Sequence, residues 1–179
     1  GLFFALKAAK SGSVAVVTKR ERLESNTQYA QGGIAAVIGA HDSFASHLED
    51  TLSAGDGLCD RAIAETVISE GPEVVRELLA IGAEFNEERP GSLSLGREGG
   101  HAYSRVVHAD DSTGREVTRA LVRVVEELPQ VALYDHHLAV DLIVDEARRC
   151  HGAWVLDSQT GAAIEARASA TLLATGGCG

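Results

Sequence analysis

Methionine is absent from the 179 residues, proline occurs three times, and aromatic residues make up only 4%. Nowhere do about eighteen apolar residues follow one another, the least that crosses a bilayer as a helix, so no membrane-spanning segment is expected. The three cysteines, Cys59, Cys150 and Cys178, are odd in number and far apart. They form no C-x-x-C pair, which argues against both a disulfide framework and a zinc site. A reducing compartment, the cytoplasm, is the expected location, and no charged and apolar leader opens the chain. Basic residues are also in deficit: 16 of them against 26 acidic ones leave a formal net charge of −10. Nucleic acid and anionic membrane are thereby excluded as main partners, because both need a basic face to displace counterions. Small molecules are the expected partners. No metal is expected either, since His136-His137 have no third ligand in register and "HLEDTLSAGDG" lacks the alternating oxygen ligands of a calcium loop.

What is present suits one α/β core, with 45% hydrophobic residues. Leu2 to Lys10 reads as a short helix stopped by Gly12 at a position that needs positive φ, and "VAVVT", Val14 to Thr18, as a buried strand. Together they look like the second half of a βαβ unit. Asp42 or Ser43 is placed to cap a helix reaching about Ala54, and Asp60 to cap another that ends at Gly71-Pro72. "PEVVRELLAIG" reads as a separate helix, with Pro72 in its first turn and Gly82 as its stop. From Asn86 to Ser112 no period is sustained, so a long loop is expected. Thr113 and Glu116 have the spacing of a capping box, and Val117, Ala120, Leu121, Val124, Val125 and Leu128 then mark an amphipathic helix. Beyond it "VALY", "LAVDLIVD", "GAWVLD" and "AIEARA" read as strands, "SQTG" as the turn between the last two, and "ATLLATGG" as a closing buried strand. The chain opens directly on a helix and stops just after a strand-like run, so it is expected to be part of a longer protein.

Three stretches carry chemistry. Gly1 stands where the last glycine of a G-x-G-x-x-G phosphate loop would stand, although the ribose-binding acid is replaced by Thr18 and Lys19. In "NTQYAQGGIAA", Gly32 and Gly33 lack Cβ atoms, so their N–H groups can approach a flat ligand, while Asn26, Thr27, Gln28 and Gln31 add neutral donors. Such donors suit the edge of an isoalloxazine ring; the plainer alternative is a glycine hinge. In "LGREGGHAYSRVVHADDSTGRE", the residues Arg97, Glu98, His101, Arg105 and His108 gather both charge signs around Gly99-Gly100, as a zwitterionic substrate would need. A polar surface loop is the plainer alternative there.

Taken together, "TKRERLESNTQYAQGGIAAV", "REGGHAYSRVVHADDSTGRE" and "LLATGG" resemble the FAD domain of the L-aspartate oxidases, a branch of the succinate dehydrogenase and fumarate reductase flavoprotein superfamily. The resemblance covers essentially the whole chain. It implies an α/β, Rossmann-like FAD-binding domain, residues 1–179, with a mainly parallel sheet and a small antiparallel β element. The first strand with its G-x-G-x-x, the capping domain and the C-terminal part would lie outside the chain, and with them the catalytic arginine. It implies further that Gly1, Lys19 and the segment Asn26, Thr27, Gln28, Tyr29, Ala30, Gln31, Gly32 and Gly33 bind FAD, and that Ala174 to Gly177 passes close to it. Asn26 stands where succinate dehydrogenases carry the histidine that bonds to the flavin, so the FAD should be noncovalent. Glu98 would face the α-ammonium group of L-aspartate. The implied reaction is oxidation of L-aspartate to iminoaspartate, with oxygen or fumarate as electron acceptor and quinolinate synthase as the partner that continues NAD synthesis. A fumarate reductase or succinate dehydrogenase flavoprotein is the nearest alternative, and a noncatalytic nucleotide-binding module the alternative from another class.

Overall fold

The computed structural model describes residues 1–176. In chain order the elements are α1 (Leu2–Ala8), β1 (Val14–Val17), a 3-10 turn (Thr27–Tyr29), β2 (Ile34–Ala35), α2 (Phe44–Ala54) and α3 (Arg61–Ala80). Four short strands follow, β3 (Glu87–Arg89), β4 (Ser92–Leu93), β5 (Leu95–Gly96) and β6 (Val106–Val107). The chain then forms α4 (Thr113–Glu126), β7 (Val131–Tyr134), β8 (His137–Val144), β9 (Cys150–Asp157) and β10 (Ala163–Arg167). Among the described residues, 1–26 with 121–176 make one compact unit, and 27–120 another.

In the first unit β1 pairs with β7 in parallel, Val14 opposite Val131 and Val17 opposite Tyr134. The ladder is prolonged past the strand end, where the Thr18 N–H donates to the Tyr134 carbonyl. Arg22 then bridges Asp135 and Glu126, each at 2.8 Å, and so ties the segment leaving β1 to the end of β7 and the end of α4. The strands β8, β9 and β10 form an antiparallel meander, with the expected tight turn at Ser158 to Gly161. α1 ends without a positive-φ residue at Gly12, because Ala9 closes it in the right-handed conformation. The closing strand expected in "ATLLATGG" is not formed over the described part of that stretch, which belongs to no strand. Gly177 lies outside the described residues.

In the second unit β2, β6 and β5 make an antiparallel sheet, Val107 standing between Ile34 and Leu95. α2 and α3 begin as the sequence indicates: the Ser43 hydroxyl accepts from the Ser46 N–H and the Asp60 carboxylate from the Ile63 N–H. α3 does not break at Pro72, contrary to the two-helix reading. A single proline removes one hydrogen bond, and the buried side chains Ile68, Val75 and Leu78 on both sides of it keep one packed face through the site. Gly82, with φ +86°, does end the helix, its N–H donating to the Leu79 carbonyl and that of Ala83 to Leu78. The stretch 86–112, expected as a loop, contains β3 to β6. Their two- and three-residue lengths leave no periodicity for a sequence pattern to detect.

α4 runs over the expected residues and buries Thr113, Gly114, Thr118, Ala120, Leu121, Val122 and Val125. Thr113 is its first helical residue rather than its cap. The Thr113 hydroxyl accepts from the Ala109 N–H, while the Glu116 carboxylate accepts from the Glu84 N–H and from Arg119. The two polar residues therefore tie neighbouring loops to the helix start. Among the described residues no helix is long and apolar enough to cross a membrane.

Candidate functional site

In the first unit Gly1 opens α1, its carbonyl accepting from the Ala5 N–H. A Cβ placed on Gly1 would lie 3.7 Å from the Ala174 Cβ, and one on Gly176 3.3 Å from Asn26 Nδ2. The described part of the 174–177 segment therefore runs past Gly1 and Asn26, and the resemblance implies that this segment and both residues lie at one ligand. Lys19 is exposed just beyond β1.

In the second unit Thr27, Gln28 and Tyr29 form the 3-10 turn, closed by the Ala30 N–H on the Thr27 carbonyl, and Ala30, Gln31, Gly32 and Gly33 continue it as exposed backbone. The turn is seated on the start of α4 through the Gly114 N–H, which donates to the Ala30 carbonyl at 3.0 Å. No side chain fits there. A Cβ on Gly114 would fall 1.7 Å from the Thr27 carbonyl oxygen and 3.0 Å from the Ala30 Cβ. The capping-box spacing around this glycine gives no sign of its part in holding the turn.

Gly32 and Gly33, alike in the sequence, do different things. Gly33 is packed against β6, where a Cβ would meet Val107 O and Val106 Cγ1 at 2.3 Å each. It lets β2 enter its sheet. At Gly32 a Cβ would meet only Glu98 Oε1, 3.5 Å away. Glu98 lies on an exposed loop that leaves β5 and returns at Arg105, and its carboxylate thus stands directly beside the open glycine. Exposed backbone with its Cβ side clear is what a flat cofactor edge requires, and a carboxylate at its margin offers an anionic group to a cationic ligand.

Arg105, grouped with the loop charges from the sequence, is elsewhere. It is completely buried and holds the equally buried Asp42 with two hydrogen bonds, Nε to Oδ2 at 3.0 Å and Nη2 to Oδ1 at 2.8 Å. Its Nη1 lies 2.9 Å from Asp50 Oδ2, off the direction of a hydrogen bond, so that contact is ionic. Asp50 is held below the ordinary carboxylate range, first by the hydrogen bond from the Ala102 N–H and then by Arg105. His47 is pushed below the usual histidine value by its burial and by Arg105, which keeps it neutral. Of the two loop histidines, His101 stands edge-on to His47 with ring centres 6.0 Å apart, and His108 packs beside Gly96. His136 lies in the turn between β7 and β8 and His137 is the first residue of β8, and among the described residues no group of three potential ligands could hold a metal. A groove of about 820 Å³, lined by Ile38, Pro72, Val75, Leu79, Leu93 and Leu95 among others, contains none of the proposed cofactor-binding residues and not Glu98.

The FAD binding domain family matches this chain over residues 1–179. The chain is 47% identical, over its whole length, to the chloroplastic L-aspartate oxidase of Oryza sativa subsp. japonica, of which it spans 28%. It is 41% identical to L-aspartate oxidase 1 of Ralstonia nicotianae, of which it spans 35%. Among solved structures, a point mutant of E. coli quinol fumarate reductase FrdA superposes with a TM-score of 0.92 at 30% identity, covering 98% of this chain and 30% of that one. The Mycobacterium smegmatis Sdh1 complex superposes at 0.80 and 31% identity over 87% of this chain and 29% of that one.

Proposed function

Because the chain belongs to the FAD-binding domain family, we propose that it is the FAD domain of an enzyme that oxidises L-aspartate to iminoaspartate. The observation that carries this reading is the Glu98 carboxylate beside the open face of Gly32. The residues proposed to hold FAD are Gly1, Lys19, Asn26, Thr27, Gln28, Tyr29, Ala30, Gln31, Gly32 and Gly33. FAD, when bound, supplies the acceptor for the electron pair that L-aspartate loses in becoming an imine. The chain's own contribution is recognition: exposed N–H groups meet an uncharged ring edge, and Glu98 takes the α-ammonium group through a charge-assisted hydrogen bond. A substrate with no ammonium group, such as succinate, gains nothing from that carboxylate.

The names of the rice and Ralstonia relatives support this reading, and the fumarate reductase likeness supports fumarate as an acceptor. Oxygen as the alternative acceptor, quinolinate synthase as the partner that uses the imine, and a role in NAD synthesis belong to the same proposal. The two cysteines free of disulfides among the described residues favour a reducing compartment, the cytoplasm, while the plant relatives carry "chloroplastic" in their names.

Glu98→Gln keeps the shape and removes the charge. A charge-assisted contact of roughly 1.5–3 kcal/mol then becomes a neutral one of about 1, so kcat/KM for L-aspartate should fall on the order of three- to thirtyfold. Fumarate reduction and FAD affinity should hardly change. An equal fall in both reactions would show that Glu98 shapes the pocket generally and would remove it from ammonium recognition. Asn26, lacking a nucleophilic ring nitrogen, leaves the FAD noncovalent. Acid precipitation of the holoprotein should therefore release all flavin fluorescence to the supernatant, and fluorescence retained on the denatured chain would contradict this.

A further inference from the structure

We propose that Asp50, held in place by Arg105, is a positioning residue that sets where the Glu98 carboxylate stands and so contributes to the choice of an ammonium-bearing substrate. The inference rests on the reading of Glu98 given above. The loop that carries Glu98 is pinned at its base by the Arg105 N–H on the Gly96 carbonyl at 3.0 Å. Between these ends residues 97–100 are exposed, so their place is set by a few contacts rather than by burial. One is internal: the His101 N–H donates to the Glu98 carbonyl at 3.1 Å, around Gly100 at φ +88°, and couples the backbone of Glu98 to that of His101. The next residue, Ala102, donates its N–H to Asp50 Oδ2 at 2.7 Å. The same oxygen faces the buried Arg105 guanidinium.

A mechanical chain follows, from α2 through Asp50 to Ala102, then His101, then Glu98. Arg105 cannot turn away, because its other two nitrogens are committed to Asp42 and, at 3.3 Å, to Ser46. A carboxylate fixed by a buried guanidinium makes a stiff acceptor for a loop N–H, and a stiff loop holds Glu98 in one place. His101 against the edge of His47 adds packing on the same side.

The test compares Asp50→Ala with Asp50→Asn in the FAD-loaded enzyme, reading kcat/KM for L-aspartate oxidation over kcat/KM for fumarate reduction, together with FAD affinity. The alanine variant loses the acceptor for Ala102, and the ratio should fall by about tenfold or more, through a raised KM for L-aspartate, since small misplacements of a positioned group cost rate steeply. FAD affinity and fumarate reduction should stay within about twofold, well inside one decade of affinity. Asparagine keeps an oxygen for the Ala102 N–H and should restore most of the ratio. An unchanged ratio in Asp50→Ala, or an asparagine variant no better than alanine, overturns the inference. Should Asp50→Ala fail to fold, Ala102→Pro removes the donor from the loop side and should lower the same ratio; an unchanged ratio there overturns the inference equally. A wild-type enzyme inactive on L-aspartate would remove the premise, whereas a ratio lowered by Glu98→Gln but not by Asp50→Ala would remove only the role of Asp50.

Discussion

Gly114→Ala should cost the enzyme most of its hold on FAD. The added methyl would lie 1.7 Å from the Thr27 carbonyl oxygen, and neither partner is a side chain that can rotate away. Either the start of α4 or the turn Thr27–Tyr29 has to move. Overpacking of this kind typically costs about 1–3 kcal/mol, which corresponds to roughly a five- to hundredfold loss when the strained conformation is the ligand-binding one. The Gly114 N–H bond to the Ala30 carbonyl would lengthen with it. The readout is a flavin titration of the apoprotein, with circular dichroism to confirm that the chain is folded. Gly12→Ala is the control, because nothing stands within 4 Å of its added methyl and its φ is not positive. Titration of Gly114→Ala at wild-type affinity would show that the turn lies outside the cofactor site.

Arg105→Met should produce the larger change in stability. Methionine fills much of the space but leaves Asp42, with a side chain 1% exposed, as a carboxylate with no cation. Breaking a buried ion pair from one side costs about 3–5 kcal/mol, against roughly 0–1 for an exposed pair such as Arg61 with Glu65. Most of that cost is the stranded charge. Adding Asp42→Asn to Arg105→Met should therefore recover part of the stability, a nonadditivity that denaturant unfolding measures directly. A loss below about 1 kcal/mol in the single variant would mean that water reaches the pair, contrary to its burial.

The features read correctly from the sequence are those in which cause and effect are close in the chain. Ser43 and Asp60 cap helices through N–H groups three residues on, α4 shows its buried face at helical spacing, and the β8–β9–β10 meander announces itself through alternation and a tight turn. Pro72 suggests a helix break from sequence because propensity sees one missing hydrogen bond and not the packed face on both sides of it. Arg105 sits in a motif rich in charge, and only the fold reveals that its partners are 63 and 55 residues earlier, at Asp42 and Asp50. Gly114 and Gly33 follow the same rule. A glycine required by a distant carbonyl looks, in one sequence, like any other glycine. The roles proposed for the Asn26 to Gly33 segment and for Glu98 rest on resemblance, while the nearness of Glu98 to Gly32 rather than to Gly33 is visible only in the structure.

The central claim is that this FAD domain serves oxidation of an amino acid through Glu98. The most direct measurement gives the purified, FAD-loaded enzyme L-aspartate and succinate side by side, at equal concentration, and follows flavin bleaching without oxygen and peroxide with it. The account predicts bleaching and turnover with L-aspartate and little or none with succinate. Faster bleaching by succinate than by L-aspartate would contradict it and assign the domain to a succinate or fumarate enzyme instead.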